Sequence, residues 1–178
     1  MQFSRKSKFN MQIENINKGR YRKHLNKVIV AGIISLAALS LGISQAAIYL
    51  FTDREGTHFW LNVAGVAIAL ITIGSILNKY KSHEFMTEVY YVWRLKQQIN
   101  YIHRKSIKLN KAVEENDATA ILIMAFYYKA CRQLYELDDN TITLSSLTKK
   151  SNELEQKIAS LNLEVDVNNY DQSLLQPY

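Results

Sequence analysis

The chain of 178 residues has few of the residues that break helices or build disulfides. It contains one Pro and six Gly, and neither type occurs between Gly74 and Pro177. Its single cysteine, Cys131, excludes an intrachain disulfide framework and suits a reducing compartment. Since Gly and Pro punctuate most loop-rich folds, the long stretch without them predicts an all-helical second half.

Recognisable catalytic and metal-binding motifs are also lacking. The four His residues and one Cys form no HExxH or CxxC motif, and the glycines form no phosphate-binding loop or nucleophile elbow. Asp138 and Asp139 are adjacent, but a calcium loop needs regularly spaced oxygens and a Gly, so we interpret them as a helix connector. We interpret His24 and His83 as membrane-proximal cationic residues and not as ligands of a shared metal. We therefore expect no enzymatic activity, no cofactor and no metal.

Charge is missing from two long runs. Residues 28–51 and 59–77 provide 24 and 19 consecutive positions without Lys, Arg, Asp, Glu or His, separated by a polar loop over 52–58. A bilayer core about 30 Å thick is crossed by about 20 helical apolar residues. The runs therefore predict two transmembrane helices joined by an external loop, and a buried hairpin of a soluble protein is the alternative.

A cleavable signal peptide competes for the first run. The tripeptide Ser44-Gln45-Ala46 has the small-x-small pattern of a cleavage site, and a basic segment precedes the run. However, the apolar run is longer than the usual 7–15 residues of a signal peptide and continues beyond the tripeptide. We favour a retained transmembrane helix.

The basic residues are concentrated at one end of the chain. Residues 1–27 contain eight Lys/Arg and one Glu, whereas residues 78–178 contain thirteen basic and thirteen acidic groups. Because Lys and Arg flank spans on the cytoplasmic side, both termini are predicted to be cytoplasmic. We expect residues 1–27 to be a loose basic arm, with an interfacial amphipathic helix as the alternative. The arm lacks a stacking pattern, so nucleic acid is not an expected partner.

Small residues occur at helical spacing in both runs. The first has Ala38, Gly42 and Ala46, and the second has Gly65 and Ala69. Since apolar side chains gain nothing by leaving lipid for each other, small residues that allow close backbone approach are typical of helix-packing positions. These ladders are predicted to face each other or another subunit, and the sequence leaves both possibilities open.

A transport role is possible but weakly supported. Neither run contains an ionisable residue, and such residues usually mark ion-coupling and proton-relay sites. A pore would need an oligomer lined by hydroxyls, for which the candidates are Ser35, Ser40, Ser44 and Thr72. An accessory or pore-forming transport subunit is therefore our alternative function.

The segment 78–161 is predicted to form a cytoplasmic domain of about three helices, followed by a polar tail over 162–178. Apolar periodicity favours helices over 82–115, 118–137 and 145–161, the second capped by Asp117. We expect a kink or a short break near 79–83, with Ser82 capping a new helix, and one turn near 171–176. The candidate partner-interface residues are aromatic, namely Tyr90, Tyr91, Trp93 and Tyr135.

Several segments resemble one bacterial membrane family. They are Tyr21-Arg22-Lys23-His24-Leu25-Asn26, Tyr90-Tyr91-Val92-Trp93-Arg94-Leu95-Lys96, Phe126-Tyr127-Tyr128 and Gln133-Leu134-Tyr135-Glu136-Leu137-Asp138-Asp139-Asn140-Thr141. On these residues the chain is similar to the domain of unknown function 3087 family, from about residue 18 to the C-terminus. Residues 1–17 fall outside the resemblance. The resemblance implies a bacterial inner membrane and carries no activity, cofactor or catalytic residue.

These observations together predict an integral inner-membrane protein, multi-pass, with both termini in the cytoplasm. Its partners are the lipid bilayer and either a second copy of the chain or another membrane or cytoplasmic protein. We expect the cytoplasmic helical domain to act as a scaffold or regulator, because it is rich in aromatic residues, balanced in charge and without a catalytic motif.

Overall fold

The computed structural model describes residues 11–178, and this part of the chain is almost entirely helical, without strands. The α-helices are α1 (Lys18–Phe51), α2 (Phe59–Tyr80), α3 (Thr87–Arg104), α4 (Ser106–Glu114), α5 (Ala118–Leu137) and α6 (Leu144–Ser160). Three short 3₁₀ helices cover Glu84–Met86, Val167–Asn169 and Gln172–Leu175. The predicted all-helical architecture, with two long apolar helices before a helical domain, is confirmed.

The described residues form two compact units. The hairpin unit comprises residues 17–90, and the helical unit comprises residues 11–16 and 91–178. The hairpin unit contains α1, the loop over 52–58 and α2, while the helical unit contains α4, α5, α6 and most of α3. The first is built on two apolar helices, and the second on a central buried helix.

Helix α1 extends well beyond the uncharged run that it contains. It begins at Lys18, where the Asn17 side chain accepts a hydrogen bond of 2.9 Å from the backbone N–H of Arg20. This side-chain cap satisfies an N–H that the first helical turn leaves without a partner. The helix therefore starts ten residues before position 28, the predicted start of the span, and the described part of the basic arm is largely helical.

A break separates α2 from α3, as predicted. Helix α2 ends at Tyr80, the 3₁₀ turn follows at Glu84–Met86, and α3 begins at Thr87. The predicted cap was wrong, since Nδ1 of His83, and not Ser82, accepts the backbone N–H of Phe85 at 3.1 Å. His83 directly precedes the turn, and its imidazole accepts the backbone N–H of Phe85.

The single helix predicted over 82–115 is also wrong, because the structure divides it into the 3₁₀ turn, α3 and α4. Lys105 leaves the helical conformation at φ −107° and ψ 6°, and its N–H bonds to Ile102 three residues earlier. The Lys105 ammonium donates to the carbonyl of Leu175, 70 residues away. This contact lies at the break. Here the apolar stripe is interrupted, because Ser106 stands where an apolar residue would continue the stripe from Ile102 to Leu109.

Helix α5 is the centre of the helical unit. Its predicted N-cap is confirmed, since a carboxylate oxygen of Asp117 accepts from the N–H groups of Thr119 at 2.7 Å and Ala120 at 3.2 Å. Its apolar side chains are enclosed on several faces. The buried residues are Ala120, Ile121, Ile123, Met124, Phe126, Ala130, Cys131 and Leu137.

The segment predicted as a polar tail over 162–178 packs into this core. Tyr170 is fully buried, its ring stacks on Phe126 with centroids 4.0 Å apart, and its hydroxyl donates to Gln98 at 3.0 Å. Leu175 is also buried. The 3₁₀ helix at Gln172–Leu175 lies within the predicted turn. The two buried side chains, Tyr170 and Leu175, hold this segment against the core of the helical unit.

Residues 11–16 are likewise packed in the helical unit. Met11 is buried, the backbone N–H of Glu14 donates to the Tyr91 hydroxyl at 2.9 Å, and the Gln133 side-chain amide donates to the Glu14 carbonyl. The loose basic arm predicted over 1–27 therefore does not describe residues 11–27. Its remaining part, before Met11, lies outside the described residues.

Candidate functional site

Helices α1 and α2 approach each other closely at Gly65. A Cβ at this position would clash with Oγ of Ser44 and lie 3.0 Å from the carbonyl oxygen of Ser40. Gly65 and Ala69 are both buried, and so is Ser44 on the opposite helix. The small residues of α2 therefore contact the serine-bearing face of α1, and a larger side chain at Gly65 would separate the helices.

The small residues of α1 lie on a different face. Ala38, Gly42 and Ala46 are exposed, and a Cβ added at Gly42 would meet no atom within 4 Å. The structure therefore does not bring the two ladders together within one chain. The ladder of α2 faces Ser40 and Ser44, whereas the ladder of α1 is open to a second molecule.

Hydroxyls in the apolar helices bond to their own backbone. Ser40 donates to the carbonyl of Ala37 at 3.2 Å, Thr72 to Ile68 at 2.8 Å and Ser75 to Ile71 at 2.8 Å. Such bonds satisfy an isolated hydroxyl without a polar partner on another helix. The hydroxyls of Ser40, Thr72 and Ser75 are therefore hydrogen-bonded within their own helices.

A charged cluster joins the start of α1 to the segment after α2. Nε of Arg20 lies 2.8 Å from a carboxylate oxygen of Glu88, and Nη2 of Arg20 lies 3.4 Å from Glu84. Nδ1 of His24 lies 3.6 Å from the second oxygen of Glu88, and its ring stacks on Phe85 with centroids 4.2 Å apart. Glu88 is only 8% exposed, and the Arg20 guanidinium compensates for the burial of its carboxylate.

Sequence reasoning missed this cluster, although a signal was present. Arg20 and His24 are four residues apart, and so are Glu84 and Glu88, so each pair lies on one face of its helical segment. The pattern of a guanidinium and an imidazole before the hairpin and two carboxylates after it predicts such a contact. His24 faces Glu88 while His83 caps a helical turn, so the two histidines have separate structural roles.

The four aromatic interface candidates have different environments. Tyr91 is buried, and its hydroxyl donates to Gln133 at 2.8 Å while it accepts from Glu14. Burial raises the pKa of Tyr91 above its ordinary value. Tyr90 and Tyr135 are half-buried, whereas Trp93 is 52% exposed. Trp93 therefore offers the largest accessible aromatic surface of the four.

The lone thiol is enclosed in the helical unit. Cys131 is 2% exposed, and burial raises its pKa to about 11. A thiol with such a pKa stays protonated at neutral pH, and the thiolate is the nucleophilic form. Among the residues that the structure describes, no group of three or more His, Cys, Asp or Glu side chains could hold a metal ion. Cys131 is therefore positioned as a core residue.

The adjacent carboxylates follow the end of α5. Asp138 ends the helix and lies 3.0 Å from the ammonium of Lys96, while Asp139 has a positive φ of 55°. A short polar side chain tolerates this left-handed conformation better than a bulky one. The pair serves the connector between α5 and α6.

A shallow cleft of about 510 Å³ lies between α5, α6 and the residues that follow α6. Lys129, Arg132 and Glu155 line it together with apolar side chains. The cleft is open and is lined by charges of both signs. It is therefore better suited to contact with a polar protein surface than to enclosure of a small apolar molecule. Neither Lys129 nor Arg132 was among the site residues predicted from the sequence.

Comparison with known protein families finds a match over most of the chain. The family model described as "Protein of unknown function (DUF3087)" matches residues 11–175, so the similarity begins earlier than residue 18 and includes the packed residues 11–16. No curated protein and no solved structure matches the chain. Because the match covers nearly the whole chain, the protein belongs to the DUF3087 family of proteins of unknown function.

Proposed function

We propose that the chain is a multi-pass membrane protein of the bacterial inner membrane, anchored by α1 and α2. The supporting observation is that these helices are long, apolar and almost uncovered. Only 6% and 11% of their most apolar 18-residue windows are buried. A core helix of a soluble protein would be largely enclosed, whereas lipid is a suitable environment for an uncovered apolar helix of this length.

A retained first span fits the contacts better than a cleaved signal peptide. Helix α1 continues without interruption through Ala46, where the candidate cleavage site lies. Gly65 of α2 packs against Ser40 and Ser44. Cleavage after Ala46 would remove these packing partners and expose the small-residue face of α2. We therefore propose that both helices remain in the mature protein.

The orientation that we propose places both termini in the cytoplasm. Lys18, Arg20, Arg22, Lys23 and Lys27 precede the first uncharged run, and Lys79 and Lys81 follow the second. The loop over 52–58 contains only Arg54, between Asp53 and Glu55. Since cationic residues near span ends favour the cytoplasmic side, the loop would be external.

For the helical unit we propose a scaffold or regulatory role, exerted through binding to a second copy of the chain or to another protein. Trp93 supports this proposal, because exposed aromatic residues are frequent anchors of protein interfaces. The exposed ladder at Ala38, Gly42 and Ala46 gives the membrane part a surface for self-association. A non-enzymatic role is part of the proposal, and the enclosed thiol of Cys131 agrees with it.

An accessory or pore-forming transport subunit remains the alternative. The bonds of Ser40, Thr72 and Ser75 to their own backbone do not favour a pore lined by hydroxyls. Ion flux through proteoliposomes that contain confirmed oligomers would support the alternative against the scaffold role.

The experiment combines alkaline extraction with photo-crosslinking in cells. The chain should stay in the membrane pellet at high pH, and a photoreactive amino acid at Trp93 should capture one reproducible protein or a second copy. A matched probe at Ile142, which is 89% exposed in the same unit, controls for random collision. Release at high pH would refute membrane insertion, whereas equal products from both positions would refute an interface at Trp93.

A further inference from the structure

An apolar groove runs along the hairpin unit between α1 and α2. It has a volume of about 330 Å³, and its walls are apolar except for Ser35 and for Lys27 at one end. Val28, Gly32 and Leu39 lie on the α1 side, while Ile73 and Leu77 lie on the α2 side. The α1 positions span about 16 Å at 1.5 Å per residue, so the groove is elongated along the helices.

A glycine of α1, Gly32, lines the groove. A Cβ added at Gly32 would meet no atom within 4 Å, so this position borders open space. Gly65 differs, because an added Cβ would collide with α1. The two helices thus touch at Gly65 and leave a furrow at Gly32 that a larger side chain would fill.

One end of the groove carries a cation. Lys27 and Phe85 line the groove beside Val28, at the end of the apolar run that the basic residues flank. Lys27 takes part in none of the ion pairs among the described residues, which include those of Arg20 with Glu88 and of Lys96 with Asp138. The groove therefore combines an apolar channel with a cation that has no carboxylate within ion-pair distance in this part of the chain.

We propose that this groove is a binding site for an anionic phospholipid. One acyl chain lies along the furrow at Gly32, and the phosphate of the headgroup contacts the ammonium of Lys27. The proposal rests on the proposed membrane insertion, which places the groove among acyl chains and Lys27 at the level of the cytoplasmic headgroups. Basic residues between membrane helices at the cytoplasmic side are suited to anionic headgroups. An apolar furrow offers water few hydrogen-bond partners and is better filled by an acyl chain.

The site is tested on the full chain in mild detergent by native mass spectrometry with added palmitoyl-oleoyl phosphatidylglycerol. We expect saturable binding of one lipid, with phosphatidylcholine bound at least about fivefold more weakly. Gly32→Leu should abolish the saturable phase because its side chain fills the furrow. Lys27→Gln should weaken phosphatidylglycerol binding about fivefold, the effect of one interfacial cation, and should leave phosphatidylcholine binding unchanged.

Two matched variants serve as controls. Gly74→Leu adds the same side chain at another glycine that borders open space but does not line the groove. Lys79→Gln removes a cation from the same end of the hairpin outside the groove. Both should bind phosphatidylglycerol as the wild type does, and all variants should keep the wild-type circular dichroism spectrum.

Alkaline extraction of the wild type separates the two proposals. A chain released from membranes refutes both the membrane insertion and the lipid site. A chain retained in membranes refutes the lipid site alone if Gly32→Leu binds phosphatidylglycerol as the wild type does, or if phosphatidylcholine binds equally well.

Discussion

The hairpin unit and the helical unit both contain helices with an uncharged apolar run, and the run is exposed in one unit and buried in the other. In α5 the residues Ile121, Ile123 and Phe126 are completely buried by other parts of the helical unit. In α1 the residues Ile33 and Ile34 are each 63% exposed. Helices of similar chemistry are thus enclosed by protein in one unit and left uncovered in the other.

The difference follows from the length of each uncharged run. The run in α5 covers eleven residues from Ala118 to Tyr128, and a charged residue returns at Lys129. Eleven residues at 1.5 Å each extend about 16 Å, roughly half of the bilayer core, so protein must cover this helix. The runs in α1 and α2 are long enough for lipid to cover them. Run length and burial together therefore distinguish a core helix from a membrane helix.

The largest expected effect is on the core of the helical unit. Phe126→Ala removes a fully buried ring that stacks on Tyr170, and we expect a loss of about 3–5 kcal/mol in the free energy of unfolding. Urea titration of the full chain in mild detergent, followed by Trp93 fluorescence in a Trp60→Phe background, measures this change. Ile34→Ala, in the uncovered part of α1, should leave this transition unchanged. A loss below about 1 kcal/mol for Phe126→Ala would contradict the enclosed core.

The next prediction concerns the packing of α1 against α2 in the hairpin unit. Gly65→Leu should destabilise the packing of α1 against α2 by about 1–3 kcal/mol, because the added side chain meets Ser44 and the Ser40 backbone. Energy transfer between dyes on cysteines at Asn26 and Asn78 should be lost at a lower concentration of sodium dodecyl sulfate than in the unsubstituted hairpin.

Gly42→Leu is the matched change on the open face of α1. It meets no atom of the hairpin, so the energy-transfer midpoint should not move, while the oligomeric fraction in sedimentation experiments should fall. If Gly42→Leu shifts the midpoint as much as Gly65→Leu does, the assignment of the two faces is incorrect.

A smaller effect is expected at the cap of α5. Partial burial raises the pKa of Asp117, but hydrogen bonds from Tyr178, Ala120 and Thr119 outweigh it and lower the pKa below its usual value. A carboxylate with a depressed pKa stabilises the fold above its unfolded pKa of about 3.9, and this contribution is lost as pH falls through the folded pKa. Asp117→Ala should cost about 1 kcal/mol at pH 7.

Asp117→Asn is the control for this prediction, since Asn also caps helices and does not titrate. It should retain most of the cap and should flatten the loss of stability below about pH 4. Urea titrations between pH 3 and pH 7 measure both variants. An unchanged acid dependence in Asp117→Asn would show that other carboxylates cause the loss.

Local patterns were sufficient to predict much of this fold. The uncharged runs, the cap at Asp117, the break after α2 and the connector at Asp138 each depend on residues that are close in sequence. The break at Lys105 coincides with a gap in the apolar periodicity, but its partner is the carbonyl of Leu175. A pattern read along one helix cannot supply such a partner.

Contacts between distant residues explain the other differences. Tyr170 is buried by Phe126 and Gln98, and the Glu14 backbone is held by Tyr91 and Gln133. Neither terminal segment has a periodicity of its own, so the sequence predicts a loose arm at one end and a polar tail at the other. The contact of Arg20 with Glu88 was detectable from the spacing of opposite charges. The groove at Gly32 was not, since open space beside a glycine has no signature in sequence.

The central claim is that lipid covers α1 and α2, with the loop over 52–58 outside and the helical unit inside. It is tested by single cysteines at Thr57 and Ile142 in a Cys131→Ser background, labelled in intact cells with a membrane-impermeant maleimide. The wild type is the blank, because Cys131 is buried and its pKa is raised to about 11. We predict that Thr57→Cys is labelled in intact cells and Ile142→Cys only after permeabilisation. Labelling of Ile142→Cys in intact cells, or of neither site before permeabilisation, would contradict the account.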